Sequence, residues 1–153
     1  MQKHDSDAAT LTESALEKLR KHYNETVVEH CLHPRNFRKM NAPDGYTKHK
    51  GPDGDIVEIF VRLDNKRVTE CTFQIDGCAA TLACGSIATE LIKGKLYADA
   101  LDAVSPKKII QALGGLPEGN IHCAHKISQA LKLAIADGLV QKQSPWKKHY
   151  RRY

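Results

Sequence analysis

Two cysteines, one histidine and two aspartates stand at the ends of structural elements, where side chains can meet each other and solvent. They are Cys78 in Asp76-Gly77-Cys78-Ala79-Ala80-Thr81, His122 and Cys123 in Ile121-His122-Cys123, and Asp53 and Asp55 in Gly51-Pro52-Asp53-Gly54-Asp55. Thiolates are soft donors suited to iron–sulfur clusters and zinc, while imidazole and carboxylate serve Zn2+ or mononuclear iron as harder partners. Cys78 falls where an alternating, strand-like pattern gives way to helical spacing, after a glycine that can take an unusual backbone angle. A thiol at a helix N-terminus has its pKa lowered by unpaired N–H groups and the helix dipole. Singly, each feature also has a plain reading: a small thiol closing a turn, an Asp-x-Asp turn, an incidental His-Cys pair. A second chemistry is nucleophilic, with Cys78 or Cys123 attacking, His122 as base and Asp55 orienting it. No Gly-rich substrate loop or thiol-hydrolase signature accompanies that reading.

The elements that must position these residues are legible from periodicity. Thr10 and Glu13 fit a capping box, and Leu16, Leu19, Tyr23, Val27 and Cys31 follow as one stripe of a single helix ending near Leu32, before Pro34. His33-Pro34-Arg35-Asn36 reads as a turn. Ile56–Leu63 and Val68–Ile75 alternate as two strands joined by Asp64-Asn65-Lys66, with Val57, Ile59, Val61 and Leu63 on one face. On the second strand Cys71, Phe73 and Ile75 share a face, and Thr72, Gln74 and Asp76 take the other. A third strand around Tyr46–Lys50 is weakly signalled. The helix after Cys78 buries Ala80, Cys84, Ile87, Ala88 and Leu91 and ends near Gly94. Shorter helices follow near Tyr97–Ala103 and Pro106–Leu113, and a last one runs from His122-Cys123 to a stop at Gly138. Cys31, Cys71 and Cys84 thus belong to apolar stripes, leaving Cys78 and Cys123 as the accessible thiols.

Composition narrows the class. A chain of 153 residues is the size of one domain with a sufficient core. It has no apolar run of membrane-spanning length and no signal-peptide pattern at its start, so no membrane role and a cytoplasmic location are expected. Five cysteines, none spaced C-x-x-C, point to free or metal-bound thiols and exclude a zinc ribbon or thioredoxin-like motif. The formal charge of +5 sits in the tail, where Lys142, Lys147, Lys148, Arg151 and Arg152 are unaccompanied by any acid. Such a tail reads as a solvated end rather than a nucleic-acid surface. The expected division is an N-terminal extension with the start of the first helix over 1–22, one domain over 23–141 and a basic tail over 142–153.

Taken together, the motifs resemble the IscU/NifU-type iron–sulfur cluster assembly scaffolds. The resemblance runs from Tyr23 through His33-Pro34-Arg35-Asn36, Asp53-Gly54-Asp55, Phe73-x-x-x-Gly77-Cys78, Thr89-Glu90-Leu91-Ile92-Lys93-Gly94-Lys95, Leu116-Pro117 and His122-Cys123 to Ala134-Ile135-Ala136-Asp137. It implies an α+β fold: a small antiparallel sheet of about three strands with helices packed on one side. It implies a site of Asp53, Asp55, Cys78, His122 and Cys123, with Cys123 accepting persulfide sulfur from a cysteine desulfurase. It further implies a transient [2Fe–2S] cluster or iron, or Zn2+, and apo iron–sulfur proteins as acceptors. Alternatives that keep the fold are a zinc-bound sulfur acceptor and a non-assembling adaptor. The chain departs from the family in one ligand: Pro52-Asp53-Gly54-Asp55 stands where the family carries Ala-Cys-Gly-Asp, so Asp53 replaces the first cysteine. Leu116-Pro117-Glu118-Gly119-Asn120 also departs from the Leu-Pro-Pro-Val-Lys segment offered to an Hsp70-type chaperone, which argues against that partner.

Overall fold

Alternation of apolar and polar residues builds the sheet around its middle strand. In the computed structural model, which describes residues 13–143, strands β1 (Gly45–Lys50), β2 (Ile56–Asp64) and β3 (Arg67–Asp76) form an antiparallel sheet in that order. Val57, Ile59, Val61 and Leu63 are at most 2% exposed, so one face of β2 is entirely core, as the alternation predicts. Asp64 pairs with Arg67 across a two-residue turn in which Asn65 and Lys66 have φ of 50° and 63°. Two left-handed residues match the right-handed twist of the flanking strands. The weakly signalled strand is real: β1 pairs along its whole length, from Gly45 opposite Val61 to Lys50 opposite Ile56.

Helices α3 (Ala79–Ile92) and α6 (Ile121–Gln143) cover this face, α3 lying along β3 and α6 along β1 and β2. Helix α2 (Glu25–Leu32) packs on α3, and the short helices α4 (Tyr97–Ala103) and α5 (Pro106–Ala112) close the core between α3 and α6. Ser105 caps α5 by accepting the Lys108 N–H, with Pro106 in its first turn. The result is the expected α+β arrangement, with both major helices on one side of the sheet.

The structure corrects several expectations. The first helical stripe is two helices, α1 over 13–22 and α2, broken at Tyr23-Asn24. Asn24 causes the break: its side chain accepts the Val27 N–H at 2.9 Å and donates to the carbonyls of Leu113 and Gly115. It therefore caps α2 and ties it to the end of α5. As a result the buried residues of α2 are Val27, Val28 and His30, while Cys31 is only half-buried, its thiol donating to the Ala79 carbonyl at 3.3 Å. Ile87 and Leu91 are half-buried on α3. Thr72 takes the face opposite Cys71 and Phe73, as expected, and that face is not open there: Thr72 is fully buried with Phe60, and residues 39–43 lie beside Tyr46 and Phe60. Helix α6 does not stop at Gly138, because that glycine faces the sheet: a Cβ there would stand 2.6 Å from Leu63 Cδ1 and 3.3 Å from Gly45. Thr10 and the tail beyond Gln143 lie outside the described residues.

The His33-Pro34-Arg35-Asn36 turn fastens α2 to α3. Ser86 Oγ accepts the Arg35 N–H at 2.9 Å and contacts His30 Nδ1 at 2.7 Å, and Asn36 Nδ2 donates to Thr89 Oγ1 and Glu90 Oε1. On the sheet side, Gly85 admits the Phe73 ring, which would be 2.4 Å from a Cβ. Gly85→Ala is therefore expected to lower unfolding stability by about 1–3 kcal/mol through overpacking. Gly119→Ala, where a Cβ meets nothing within 4 Å, should change it by less than about 0.5 kcal/mol. Urea denaturation of both variants checks the difference.

Candidate functional site

Three chain segments meet at one end of the sheet. The β1–β2 hairpin supplies the first: Gly51 N–H bonds to the Asp55 carbonyl, Gly54 N–H bonds to the Gly51 carbonyl, and Gly54 takes φ 88°. Within this tight tip Asp53 Oδ1 accepts the Asp55 N–H at 3.2 Å, which turns the Asp53 carboxylate back over Gly51. The junction between β3 and α3 supplies Cys78 as the helix N-cap, with extended backbone angles. Gly77 is needed for room rather than for an unusual angle, since a Cβ would stand 2.7 Å from the Asp55 carboxyl carbon. The start of α6 supplies His122, Cys123 and, one turn on, Lys126.

The side chains form a closed ring of contacts. Lys126 Nζ donates to Asp53 Oδ2 at 2.8 Å and to Asp55 Oδ2 at 3.2 Å. Thr81 Oγ1 lies 3.4 Å from Asp55 Oδ2 and 3.3 Å from Cys78 Sγ, so its one hydroxyl proton can be donated to either of them in turn. Cys78 Sγ is 3.7 Å from Cys123 Sγ, which is 3.7 Å from His122 Nε2, which in turn is 3.8 Å from Asp53 Oδ2. All five residues singled out from the sequence are thus brought together. Accessibility divides them: Cys78 is exposed, but Cys123 is fully buried beneath it, so the expectation of two accessible thiols holds for Cys78 alone. The first turn of α6 points inward because Cys123, Ala124 and Ile127 share the face that packs into the core.

A model of the NifU-like N-terminal domain matches residues 22–144. The chain belongs to this family. The NifU-like domain is 37% identical over 116 residues to the iron–sulfur cluster assembly scaffold protein IscU 1 of Archaeoglobus fulgidus, covering 75% of each chain. It is 34% identical over 122 residues to the scaffold protein IscU of Aquifex aeolicus, covering 78% of this chain and 77% of that one. A solved NifU-like N-terminal structure from Brucella abortus shares the fold with a TM-score of 0.61 at 17% identity, over 77% of this chain and 94% of that one.

Sequence reasoning missed two members of the ring in this NifU-like domain. Thr81 lies three residues past the N-cap, the position from which a side chain reaches back to a capping residue. Lys126 lies four residues past His122 on the same helix face, and its side chain is only 7% exposed. No signal in the sequence separates it from the other lysines, because its partners Asp53 and Asp55 lie more than seventy positions away. Among the described residues no three His, Cys, Asp or Glu side chains are gathered as a metal-holding group, and the Lys126 ammonium is what stands between the carboxylates.

The electrostatics follow the contacts. Cys78 has its pKa lowered to about 5, first by the Cys123 thiol donating to its sulfur, then by the Thr81 hydroxyl and the N–H groups of Thr81 and Ala80, against a burial cost. Cys123 is pushed up by the same hydrogen bond and by burial, so the pair carries one thiolate, on Cys78. Asp53 is held below the usual carboxylate range by Lys126 and by the Asp55 N–H. Burial works to lower the Lys126 pKa, and its two carboxylate partners more than offset that. Alkylation of metal-free protein by iodoacetamide should therefore reach its full rate at Cys78 above a midpoint near pH 5. In Cys123→Ala, with the donor removed, the midpoint should rise by roughly one unit or more. An unshifted midpoint would show that the thiol pair does not set the Cys78 charge.

Proposed function

We propose that this chain is an iron–sulfur cluster assembly scaffold. It takes sulfur from a cysteine desulfurase, takes iron, holds a [2Fe–2S] cluster as cargo and passes it to apo iron–sulfur proteins. The observation that carries this reading is the Cys78–Cys123 pair, with sulfurs 3.7 Å apart at the exposed end of the sheet and backed by His122, Asp53 and Asp55. The donor chemistry fits the cargo, because thiolates bind iron and sulfide-bridged iron well while carboxylates bind them weakly. Asp53, in our reading, takes the place of a first cysteine, so the cluster is held by two thiolates and harder partners. Weak holding suits a protein that must release what it carries. The role is that of a carrier rather than an enzyme, working in the cytoplasm. Among the described residues no helix is long and apolar enough to cross a membrane. Chaperone docking through Leu116–Asn120 is not part of this reading.

Sulfur would enter in two steps. The Cys78 thiolate attacks the outer sulfur of the desulfurase persulfide, whose S–S bond breaks to leave the desulfurase thiolate. Cys123 then loses its proton to His122 Nε2 and attacks the terminal sulfur on Cys78, becoming the persulfide and regenerating the Cys78 thiolate. Cys123 thus remains the sulfur-bearing residue, although only Cys78 is exposed. Mass spectrometry after incubation with a desulfurase and cysteine checks the order. Cys78→Ser should leave Cys123 unmodified, and Cys123→Ser should accumulate persulfide on Cys78. Equal loading of Cys123 in Cys78→Ser would refute the relay.

A second reading is a zinc-bound sulfur acceptor, favoured by the mixed sulfur, nitrogen and oxygen donors around Cys78. Metal and acid-labile sulfide analysis of protein purified without oxygen separates the readings. Iron with sulfide is expected of the scaffold and zinc alone of the acceptor, whereas neither metal would leave only an adaptor.

A further inference from the structure

Lysine carries a strongly hydrated charge and is rarely buried without a structural cause. Lys126 is an exception at the centre of the site. Its side chain is 7% exposed, and its ammonium lies between the carboxylates of Asp53 and Asp55. The hairpin tip packs beside it: Gly51 leaves room for the Asp53 carboxylate, whose Oδ1 would be 2.7 Å from a Cβ, and lies at van der Waals distance from Lys126, 3.4 Å from a Cβ to Cε and Nζ.

We propose that Lys126 is an internal counter-cation that occupies the position of the incoming metal, so that cargo binds at Asp53 and Asp55 only by displacing it. The inference rests on the reading of this site as a metal and cluster site, and adds a residue that sets how readily the site fills. The ammonium engages Oδ2 of both Asp53 and Asp55, so a cation drawing on those oxygens competes with it. The displaced side chain has somewhere to go: a cavity of about 600 Å3 adjoins it, lined also by His49, Pro52, Asp53, His122 and His125. A soft, two-thiolate cluster needs the carboxylates least, whereas a hard divalent ion relies on them. The lysine therefore penalises free divalent metals more than cluster, and acts as a specificity-determining group.

Co2+ is the probe, because its thiolate charge-transfer absorption reports binding at the cysteines without sulfur transfer or cluster assembly. Lys126→Met should bind Co2+ at least tenfold more tightly than the parent, equivalent to about 1.4 kcal/mol. Lys126→Gln should do the same, and stands in if the Met variant does not fold. Lys126→Arg, which keeps the charge, should remain within about threefold of the parent, an outcome that a merely structural role for the side chain does not predict. Unchanged or weaker Co2+ binding in folded Lys126→Met or Lys126→Gln would overturn the counter-cation role and leave the scaffold reading standing. Absence of thiolate-to-cobalt absorption in the parent and every variant would overturn the metal-site assignment itself.

Discussion

The approach of α6 to the sheet sets everything at the functional end. Gly45 on β1 lies so close to the helix that a Cβ would fall 2.1 Å from the Ala134 carbonyl oxygen, and Gly138 repeats the contact one turn later. Because the two backbones meet without intervening side chains, the helix axis has little freedom to slide or lift. Protein interiors transmit such constraints, being packed as densely as organic crystals. A shift of α6 by a fraction of an ångström would be carried to its first turn, where Cys123 and Lys126 are placed against residues of two other segments. Phe73 seated on Gly85 performs the same service for α3, and so for Cys78.

On this frame the polar side chains of the ring are paired rather than merely crowded. Two carboxylates face one ammonium, and one thiol hydrogen is shared between two sulfurs. Each charge has a neighbour that offsets its desolvation, which is the condition for holding ionised groups at a half-buried site. The same pairing makes the site responsive, since any new cation or sulfur atom entering it changes the partners of several groups at once. Thr81 links the sulfur half to the carboxylate half through one hydroxyl that reaches both Cys78 and Asp55.

Much of this was legible in the sequence, and the failures have a common origin. The alternating pattern of Ile56–Leu63 and Val68–Ile75 around turn residues exposed the hairpin, and Ser105-Pro106 marked the start of α5. The five candidate site residues could be named because they lie at element ends. What escaped was set by tertiary partners. Asn24 breaks a continuous apolar stripe only because the carbonyls of Leu113 and Gly115, far along the chain, are there to receive its amide. Gly138 reads as a helix stop until β1 is seen beside it. Lys126 reads as a solvated lysine until the hairpin tip folds over it, and the burial of Cys123 depends on where α3 places Cys78. Periodicity reports what a residue's neighbours in sequence do; these residues answer to neighbours in space.

The burial of Cys123 beneath an exposed Cys78 also bears on traffic. With the outer sulfur exposed and the inner one fully buried, the pair presents Cys78 to whatever approaches it. On the scaffold reading proposed above, a protein delivering sulfur and a protein collecting the finished cluster both come to the exposed Cys78. Loading and unloading are then visits to one berth, and the rate at which the first visitor leaves becomes as consequential as the rate at which the second arrives.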